Sequence, residues 1–260
     1  MRRTLFQLAW WLAWLLEAAG RAVAHLAAGA LTSAELRAAI ARAWEHYGAD
    51  EAFVTSGFHD WERETYDRVL RPGDSILLVG CGTGRDLIAL LRRGHAVEGL
   101  EPARRPLELA RQALDKLGLH APLHHAGIET AELRGGYDVV IFSAYSYCYL
   151  PESLARIAVL RKVASALAPG GRIIVPYLPR GRRRTLPIRL TRLVARLTRS
   201  DWTPEPGDKV WVSLTGEMSV QFDHEFEPAE LEAEARAAGL QVIVHGQQGP
   251  LPEGVCVLAR

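Results

Sequence analysis

The pattern of apolar and polar positions divides the chain into a helical first part and a longer part in which strands and helices alternate. From Asp74 onward, short β-type runs alternate with helical stretches, which predicts a parallel sheet with helices on both faces. The predicted strands are SILLV, HAVEGL, APLHHA, YDVVIF and RIIVPYL, followed after an insert at 179–215 by SVQFDHEF, LQVIVHG and GVCVLAR. Helices are predicted at 85–93, 106–117 and 152–167 and over PAELEAEARAA, and QQGPLPE is predicted to be a hairpin-like connection between the last two strands.

The first 31 residues have the pattern of one apolar helix that starts with two arginines. At 100° per residue, one side carries only aliphatic residues, and the other carries the polar residues together with three tryptophans. The aliphatic side consists of Leu5, Leu8, Leu12, Leu15, Leu16, Val23 and Leu26. The opposite side consists of Arg3, Gln7, Glu17, Arg21 and His25, with Trp10, Trp11 and Trp14 beside them. The segment is therefore predicted to be amphipathic.

Four interpretations of this helix stay open. A secretory signal fits the basic start and the small residues at 22–24. A transmembrane helix fits the length but not the polar residues that interrupt the apolar run. An amphipathic helix either packs its leucine side on the domain or lies at a membrane surface with its indoles at the headgroup level. We favour the two amphipathic forms because the interruptions recur on one side.

A second helix is predicted to run from Ser33, placed as its N-cap, to near Gly48. Residues 1–70 are thus predicted to form a helical cap or membrane-interface segment. The main domain is predicted at 71–260, with the insert at 179–215 acting as a lid.

The composition excludes several classes of protein. The chain has 31 Lys and Arg against 30 Asp and Glu, a formal net charge of +1, and 48% hydrophobic residues. These values exclude a disordered chain and a globally cationic nucleic-acid binder. The cysteines Cys81, Cys148 and Cys256 are too few and too scattered for a disulfide framework or a metal-binding motif. We therefore expect no metal ion and a reducing, cytoplasmic location.

A glycine-rich segment separates the first predicted strand from the helix that follows it. Gly80, Gly82 and Gly84 let the backbone turn sharply and let a ligand approach the main chain, and the N–H groups of a helix start favour an anionic group. A dinucleotide fingerprint needs a glycine where Arg85 stands, and a nucleoside-triphosphate loop needs a lysine before Ser or Thr. Both of those cofactor classes are disfavoured.

This segment resembles motif I, G-x-G-x-G, of the class I S-adenosylmethionine-dependent methyltransferases. Three more landmarks follow in the family's order: Glu101 at the end of the second strand, Asp138 at the start of the fourth, and L-A-P-G-G at 167–171 before the fifth. With FEPAELEAEARAAGLQV, the resemblance covers residues 56–260. It implies an α/β fold with a Rossmann-like, seven-stranded, mostly parallel sheet whose last strand is antiparallel.

The resemblance also implies S-adenosylmethionine as cofactor and a set of residues that bind it. That set is Gly80, Cys81, Gly82, Gly84, Asp86, Glu101, Glu129 and Ser143. Two positions depart from the family pattern, since Leu78 replaces an acid that often precedes motif I and Ile128 stands where an acid usually contacts the adenine. Arg85 or Asp86 is the candidate substitute for the first acid, and Glu129 for the second.

Aromatic residues near the expected transfer site are the candidates for acceptor binding. Tyr145, Tyr147 and Tyr149 recur at every second residue after the fourth strand. His59 and Trp61 lie in a segment that crosses the cofactor cleft in related enzymes. Aromatic faces hold amines and methylated cations, although such a cluster equally fills a core under a lid. The chain lacks the N/D-P-P-Y/F motif of nucleobase amino methyltransferases, and no catalytic base is assigned.

The insert combines arginines with leucines at helical spacing. One predicted face carries leucines and the opposite face arginines: Leu186, Leu190, Leu193 and Leu197 against Arg189, Arg192, Arg196 and Arg199. Such a helix is typical of a solvated lid or of attraction to anionic lipid headgroups, with nucleic-acid phosphate a third and weaker alternative. Segments 1–31 and 180–199 are the candidate contacts with the inner face of a membrane.

These features predict a methyltransferase that moves a methyl group from S-adenosylmethionine to nitrogen or oxygen of a small, amphiphilic acceptor by in-line displacement. Two alternatives stay open: a membrane-associated enzyme that methylates the nitrogen of a lipid headgroup, and a non-catalytic S-adenosylmethionine-binding module. An aminopropyl transferase is disfavoured because SAYSYCY supplies no acid for the propyl amine. Nucleic acid is not an expected partner.

Overall fold

The computed structural model describes residues 2–181, 185–212, 219–246 and 254–260. Its contacts group the chain into two compact units. The larger unit comprises Trp44–Gly181 and His224–Arg260, and the smaller unit comprises Met1–Ala43 and Arg182–Asp223. The contacts thus divide the chain differently from the predicted boundary at residue 70, because the first helices are grouped with the insert.

The secondary structure of the described residues follows the predicted order. The strands are β1 (Ser75–Val79), β2 (Ala96–Glu101), β3 (Leu123–His125), β4 (Tyr137–Phe142), β5 (Leu167–Pro176), β6 (Leu178–Pro179), β7 (Asp208–Val212), β8 (Val220–Phe226), β9 (Gln241–His245) and β10 (Val255–Ala259). The helices are α1 (Arg2–Ala28), α2 (Ser33–Glu45), α3 (Glu51–Thr55), α4 (Asp60–Val69), α5 (Arg85–Arg92), α6 (Arg104–Leu117), α7 (Ser153–Ala166), α8 (Thr185–Thr198) and α9 (Pro228–Ala237). A 3-10 segment, Ser143–Tyr149, follows β4.

A seven-stranded sheet forms the centre of the larger unit, in the order β3-β2-β1-β4-β5-β10-β9. β1 pairs in parallel with β2 on one side and with β4 on the other. β10 pairs antiparallel with both β5 and β9. The predicted sheet, mostly parallel with an antiparallel last strand, is confirmed. The strand order reverses between β1 and β4, and the carboxyl ends of strands at such a point are where open α/β sheets bind ligands.

Alternation along the central strands gives this sheet two apolar faces. In β1, Leu77 and Val79 belong to one cluster of buried residues, whereas Ile76 and Leu78 belong to another. The first cluster includes residues of α7 and α9, and the second includes residues of α4, α5 and α6. Helices therefore cover both faces, as predicted, and this explains why the strands read as nearly continuous apolar runs.

The start of the fifth strand differs from the prediction. The L-A-P-G-G segment lies inside β5, which begins at Leu167. Tyr137 pairs with Leu167 but Val139 pairs with Arg172, so the register shifts across this segment. A Cβ at Gly171 would lie 2.9 Å from the Tyr137 carbonyl oxygen, which explains why glycine stands there. The predicted connection at 247–253 lies outside the described residues.

The smaller unit packs the end of α1 against α8 through small residues. A Cβ at Gly29 would lie 2.5 Å from the carbonyl oxygen of Thr191, so the two backbones approach closely. α1 also packs against β7. The N-cap of α2 is Thr32, one residue before the predicted Ser33, because Glu35 N donates to Thr32 Oγ1 at 3.2 Å and Thr32 N donates to Glu35 Oε2 at 2.8 Å. This reciprocal pair is a capping box.

Neither α1 nor α8 buries the leucine side that its sequence pattern defines. On α8, Thr191 and Ala195 are buried, while Leu190, Leu193 and Leu197 are exposed. On α1, all the leucines up to Leu16 are more than half exposed, and so the packing of a leucine stripe on the domain is not found. Within the described ranges, none of the helices combines the length and the apolar character that a bilayer crossing needs.

Candidate cofactor and acceptor site

The glycine loop follows β1 at the point where the strand order reverses. The N–H groups of Gly80 and Cys81 both donate to the Leu100 carbonyl oxygen, at 2.8 and 3.0 Å. Gly84, with a φ of +97°, is the N-cap of α5. Gly80 and Gly82 also have positive φ, a conformation that glycine adopts without strain. The loop is therefore anchored to β2 at one end and to α5 at the other.

The space around the loop differs from one glycine to the next. A Cβ at Gly80 would lie 2.7 Å from the Cβ of Ser146, and a Cβ at Gly84 would lie 3.2 Å from the Cβ of Ala110. A Cβ at Gly82 would meet no heavy atom within 4 Å. Gly80 and Gly84 thus permit close packing, whereas Gly82 faces open space that a ligand can enter.

Glu101 is held at the end of β2 by the loop itself. Its carboxylate accepts hydrogen bonds from Gly82 N at 2.8 Å and from Ala103 N at 2.9 Å, and the residue is 6% exposed. Burial raises the pKa of Glu101, while the two backbone N–H groups oppose the rise. Each carboxylate oxygen keeps a lone pair for one more donor, such as a ribose hydroxyl. Gly82 and Glu101 therefore fit a cofactor that contains a ribose.

A buried charged cluster lies at the start of α5. The Arg85 guanidinium is 2.5 Å from Glu62 Oε1 and 2.7 Å from Asp86 Oδ1. Ser143 Oγ donates to Asp86 Oδ2 at 2.6 Å, which brings together two of the predicted cofactor residues. Burial and the nearby Glu62 raise the pKa of Asp86 to about 6, whereas Arg85 and Ser143 oppose the rise. The cluster fixes the end of β4 on the start of α5.

The same arginine holds the segment that precedes α4. Arg85 Nη1 donates to the Gly57 carbonyl oxygen at 3.3 Å. Glu62 Oε2 accepts a hydrogen bond from His59 N at 2.7 Å. His59 is exposed at the N-cap of α4, and Trp61 is half-buried in its first turn. The predicted acceptor residues His59 and Trp61 are therefore positioned through Arg85 and Glu62.

The backbone directly after β4 is strained. Ala144 has a φ of 45° and Tyr145 a φ of 65°, a region in which each residue other than glycine costs about 1–3 kcal/mol. Ser146 Oγ donates to the Val79 carbonyl oxygen at 2.9 Å and so fixes this turn against the end of β1. Strained residues of this kind cluster at functional sites, which agrees with the position predicted for acceptor binding.

The three candidate tyrosines do not share one surface. Tyr145 stacks on Trp61 with ring centroids 5.4 Å apart, and Tyr149 packs on Trp44 at 4.8 Å. Tyr147 is completely buried, and its hydroxyl donates to Glu234 at 2.7 Å. Residues two apart share one face only in a strand. This segment combines a 3-10 turn with two residues of positive φ, so its side chains point to different sides.

Two predicted cofactor residues differ from the rest of the set in their surroundings. Cys81 is buried, and burial raises the pKa of its thiol well above the usual range, so it behaves as a small apolar side chain. Glu129 is exposed in the turn after β3, where Lys162 Nζ donates to the carbonyl oxygens of Ile128 and Glu129 at 2.9 and 3.1 Å. Their roles toward the cofactor stay predictions.

Sequence reasoning missed Glu62 and Trp44. The spacing of Glu62, three residues after the N-cap His59, is that of a capping box and could have indicated its position. Nothing in the local sequence indicates that Trp44 contacts Tyr149, because that contact joins residues far apart in the chain.

Known proteins resemble this chain in sequence and in fold. A family model described as a methyltransferase domain matches residues 76–171, from β1 into β5. A protein-L-isoaspartate O-methyltransferase of Methylorubrum populi is 35% identical over 127 residues, which are 47% of this chain and 53% of that protein. A ubiquinone biosynthesis O-methyltransferase of Vibrio parahaemolyticus is 33% identical over 110 residues, 42% of this chain and 45% of that protein. The chain thus spans about half the length of these curated relatives.

Among solved structures, the CcbJ methyltransferase of Streptomyces caelestis matches the fold with a TM-score of 0.57. Its sequence is 18% identical, and the match covers 85% of this chain and 95% of that one. At this identity the likeness concerns the fold alone. The matched segment, the strand order and the glycine loop agree with one another, and residues 76–171 are therefore identified as a methyltransferase domain.

Proposed function

We propose that this chain binds S-adenosylmethionine at the glycine loop and transfers its methyl group to oxygen or nitrogen of a small, amphiphilic acceptor. The observation that carries the proposal is the Glu101 carboxylate, which Gly82 N holds beside the open space over that glycine. An acid at this position holds the ribose hydroxyls in the family that the chain resembles.

The remaining cofactor contacts are proposed from the loop and from α5. Gly80, Gly82 and Gly84 let the backbone approach the cofactor, and the start of α5 favours its carboxylate group. Asp86, held by Ser143, is the candidate partner of the cofactor's ammonium group and thus the substitute for the acid that Leu78 replaces. A bound cation beside Asp86 would lower its raised pKa.

Methyl transfer from S-adenosylmethionine requires little from the protein beyond the alignment of donor and acceptor. The sulfonium of S-adenosylmethionine is the activated methyl donor in an in-line displacement. The chain's own residues then bind both partners in line, and this positioning supplies most of the acceleration. An acceptor oxygen that is acidic by itself needs no strong base.

The acceptor surface is proposed from the aromatic residues that remain accessible. Trp61 and Tyr145 stack on each other, and Tyr149 is half-buried against Trp44. Such faces hold the apolar part of an amphiphilic molecule or a methylated cation. The two curated relatives are O-methyltransferases by name, which favours oxygen as the first acceptor atom to test.

The first test is calorimetric titration with S-adenosylhomocysteine, with NADH as a ligand control. We expect micromolar binding of S-adenosylhomocysteine alone. Glu101→Ala should weaken it about 10- to 100-fold through the loss of hydrogen bonds to a charged group, and Gly82→Val should weaken it by filling the open space. Glu98→Ala, an acid on the same strand, is the matched control and should keep the affinity. A folded wild-type protein that binds nothing would contradict the proposal.

The second test is transfer of a labelled methyl group to panels of phenols, hydroxy acids and amines. Trp61→Ala should raise the KM for the acceptor more than it lowers kcat, because the indole contacts bound acceptor and transition state alike. Binding of S-adenosylhomocysteine without transfer to any panel member would favour the alternative of a non-catalytic binding module.

A further inference from the structure

The first two thirds of α1 expose large apolar side chains around the whole helix. These residues are between 46% and 69% exposed: Leu5, Phe6, Leu8, Trp10, Trp11, Leu12, Trp14, Leu15 and Leu16. A contiguous apolar surface of this extent marks an interaction site in a soluble protein. The segment 4–16 is about 20 Å long at 1.5 Å per residue, whereas the hydrocarbon core of a bilayer is ~30 Å thick. The helix is therefore suited to lie in a membrane surface and not to cross it.

The composition of this segment fits the boundary between headgroups and acyl chains. Arg2 and Arg3 are the only charged residues before Glu17. The three tryptophans form one group, with ring centroids 5.2 Å apart for Trp10 and Trp11 and 5.8 Å apart for Trp11 and Trp14. Indole rings concentrate at this boundary because they are apolar with one polar N–H group.

Helix α8 of the smaller unit presents the same combination of residues. Because α8 packs through Thr191 and Ala195, it leaves both leucines and arginines exposed. The exposed residues are Leu190, Leu193 and Leu197, and Arg189 and Arg196, with exposed Arg199 directly after the helix. α1 packs on α8 within this unit, so the two amphipathic helices belong to one surface element.

The charge of the chain is divided unequally between its two units. The smaller unit has thirteen Lys and Arg against seven Asp and Glu, a net charge of +6. The larger unit has eighteen against twenty-three, a net charge of −5. The near-neutral total of +1 conceals this separation. Basic residues next to an amphipathic helix are attracted by the negative potential of an anionic bilayer.

We propose that the smaller unit docks on an anionic phospholipid bilayer, with α1 in the headgroup boundary and the arginines of α8 on lipid phosphates. Charge complementarity selects this occupant over pairing with the smaller unit of a second copy, because two units of charge +6 repel each other. The inference goes beyond the proposed methyl transfer and does not depend on it.

The test is flotation of the full chain with two kinds of vesicle: phosphatidylcholine alone, and phosphatidylcholine mixed with phosphatidylglycerol. We expect binding to the mixed vesicles, weakened by added salt because screening shortens the reach of the charges. Two variants should each lower the partition coefficient between vesicles and buffer at least about tenfold. The first combines Leu8→Glu with Leu12→Glu, and the second combines Arg189→Gln, Arg196→Gln and Arg199→Gln. Leu154→Glu is the matched control, since Leu154 is 82% exposed on α7 of the larger unit, and it should change nothing.

A second measurement does not depend on the folding of variants. Phospholipids brominated on their acyl chains should quench part of the tryptophan emission of the wild-type protein. Binding that is equal for both kinds of vesicle, absence of quenching, or variants that bind as the wild type does would overturn the proposal. The proposal would also be overturned by a wild-type dimer, detected by light scattering, that does not bind vesicles and that the double substitution Leu8→Glu with Leu12→Glu dissociates. A second copy of the chain would then cover α1.

Discussion

At the scale of single residues, the candidate site depends on one buried cation. Arg85 lies between the carboxylates of Glu62 and Asp86, and all three side chains are nine-tenths or more buried. Through these two acids it holds both the segment before α4 and the end of β4. Buried ions stay charged only while they are paired, so removal of one leaves the others uncompensated.

Arg85→Ala is expected to lower the free energy of unfolding by about 3–5 kcal/mol, because two buried carboxylates lose their counter-ion. Urea unfolding followed by circular dichroism measures the change. Arg92→Ala, an exposed arginine on the same helix, should stay within about 0.5 kcal/mol of the wild type. Equal effects of the two substitutions would show that the buried pairing does not stabilise the fold.

Asp86 makes the stability depend on pH. Burial raises its folded-state pKa to about 6 from an ordinary value of 3.8, so between these values the folded state binds more protons than the unfolded state. Stability therefore falls as the pH rises from 4 to 6, by at most about 3 kcal/mol for this group. Asp86→Asn should flatten the dependence of the unfolding free energy on pH over that interval. An unchanged slope would place the pKa of Asp86 near its ordinary value.

At the scale of elements, the end of one helix caps the start of another. Glu45, the last residue of α2, accepts hydrogen bonds from Arg104 N at 2.7 Å and Arg105 N at 3.0 Å in the first turn of α6. Burial tends to raise the pKa of Glu45, but these two N–H groups outweigh it, so the pKa is lowered. The stabilisation is therefore present above the ordinary pKa of the group and is lost as the pH falls through the lowered value.

Glu45→Ala is expected to cost about 1 kcal/mol at pH 7, because α6 loses a charged cap at its positive end. Asp115→Ala tests the opposite end of the same helix, where an acid is unfavourable, and should be neutral or slightly stabilising. The comparison uses thermal unfolding at pH 7 and again at pH 3, where the two variants should converge toward the wild type.

The strands and the glycine loop could be predicted because local patterns determine them. β1 and β4 are nearly continuous apolar runs, and a Cβ would clash at Gly80 and make a tight contact at Gly84. The contacts of Arg85 with Glu62 and of Asp86 with Ser143 could not be predicted, because the two residues of each pair are 23 and 57 positions apart in the chain. The buried faces of α1 and α8 were equally inaccessible, since contacts between small residues such as Gly29 and Thr191 leave no periodic signal.

At the scale of the whole molecule, ligand binding and stability are linked. S-adenosylhomocysteine at 100 times its Kd should stabilise the larger unit by about 2.7 kcal/mol, because it binds only the folded state. Scanning calorimetry with and without the ligand measures this shift. If the ligand raises the temperature of one unfolding transition and leaves the transition of the smaller unit unchanged, the ligand binds in the larger unit. Gly82→Val should abolish the shift, and a shift of equal size in that variant would place the ligand elsewhere.

Because α1 packs against α8 of the insert, the ribosome makes these two packing partners at different times. α1 ends at residue 28, whereas its packing partner α8 ends at residue 198, 170 residues later. At ~5–20 residues per second, a ribosome takes about 10–30 s to make that interval. Both helices emerge after the same delay in the exit tunnel, so the tryptophan-rich helix is outside the ribosome for an interval of this length before its partner emerges. The nascent chain therefore offers a ready target for chaperones or for a nearby membrane well before the smaller unit can fold.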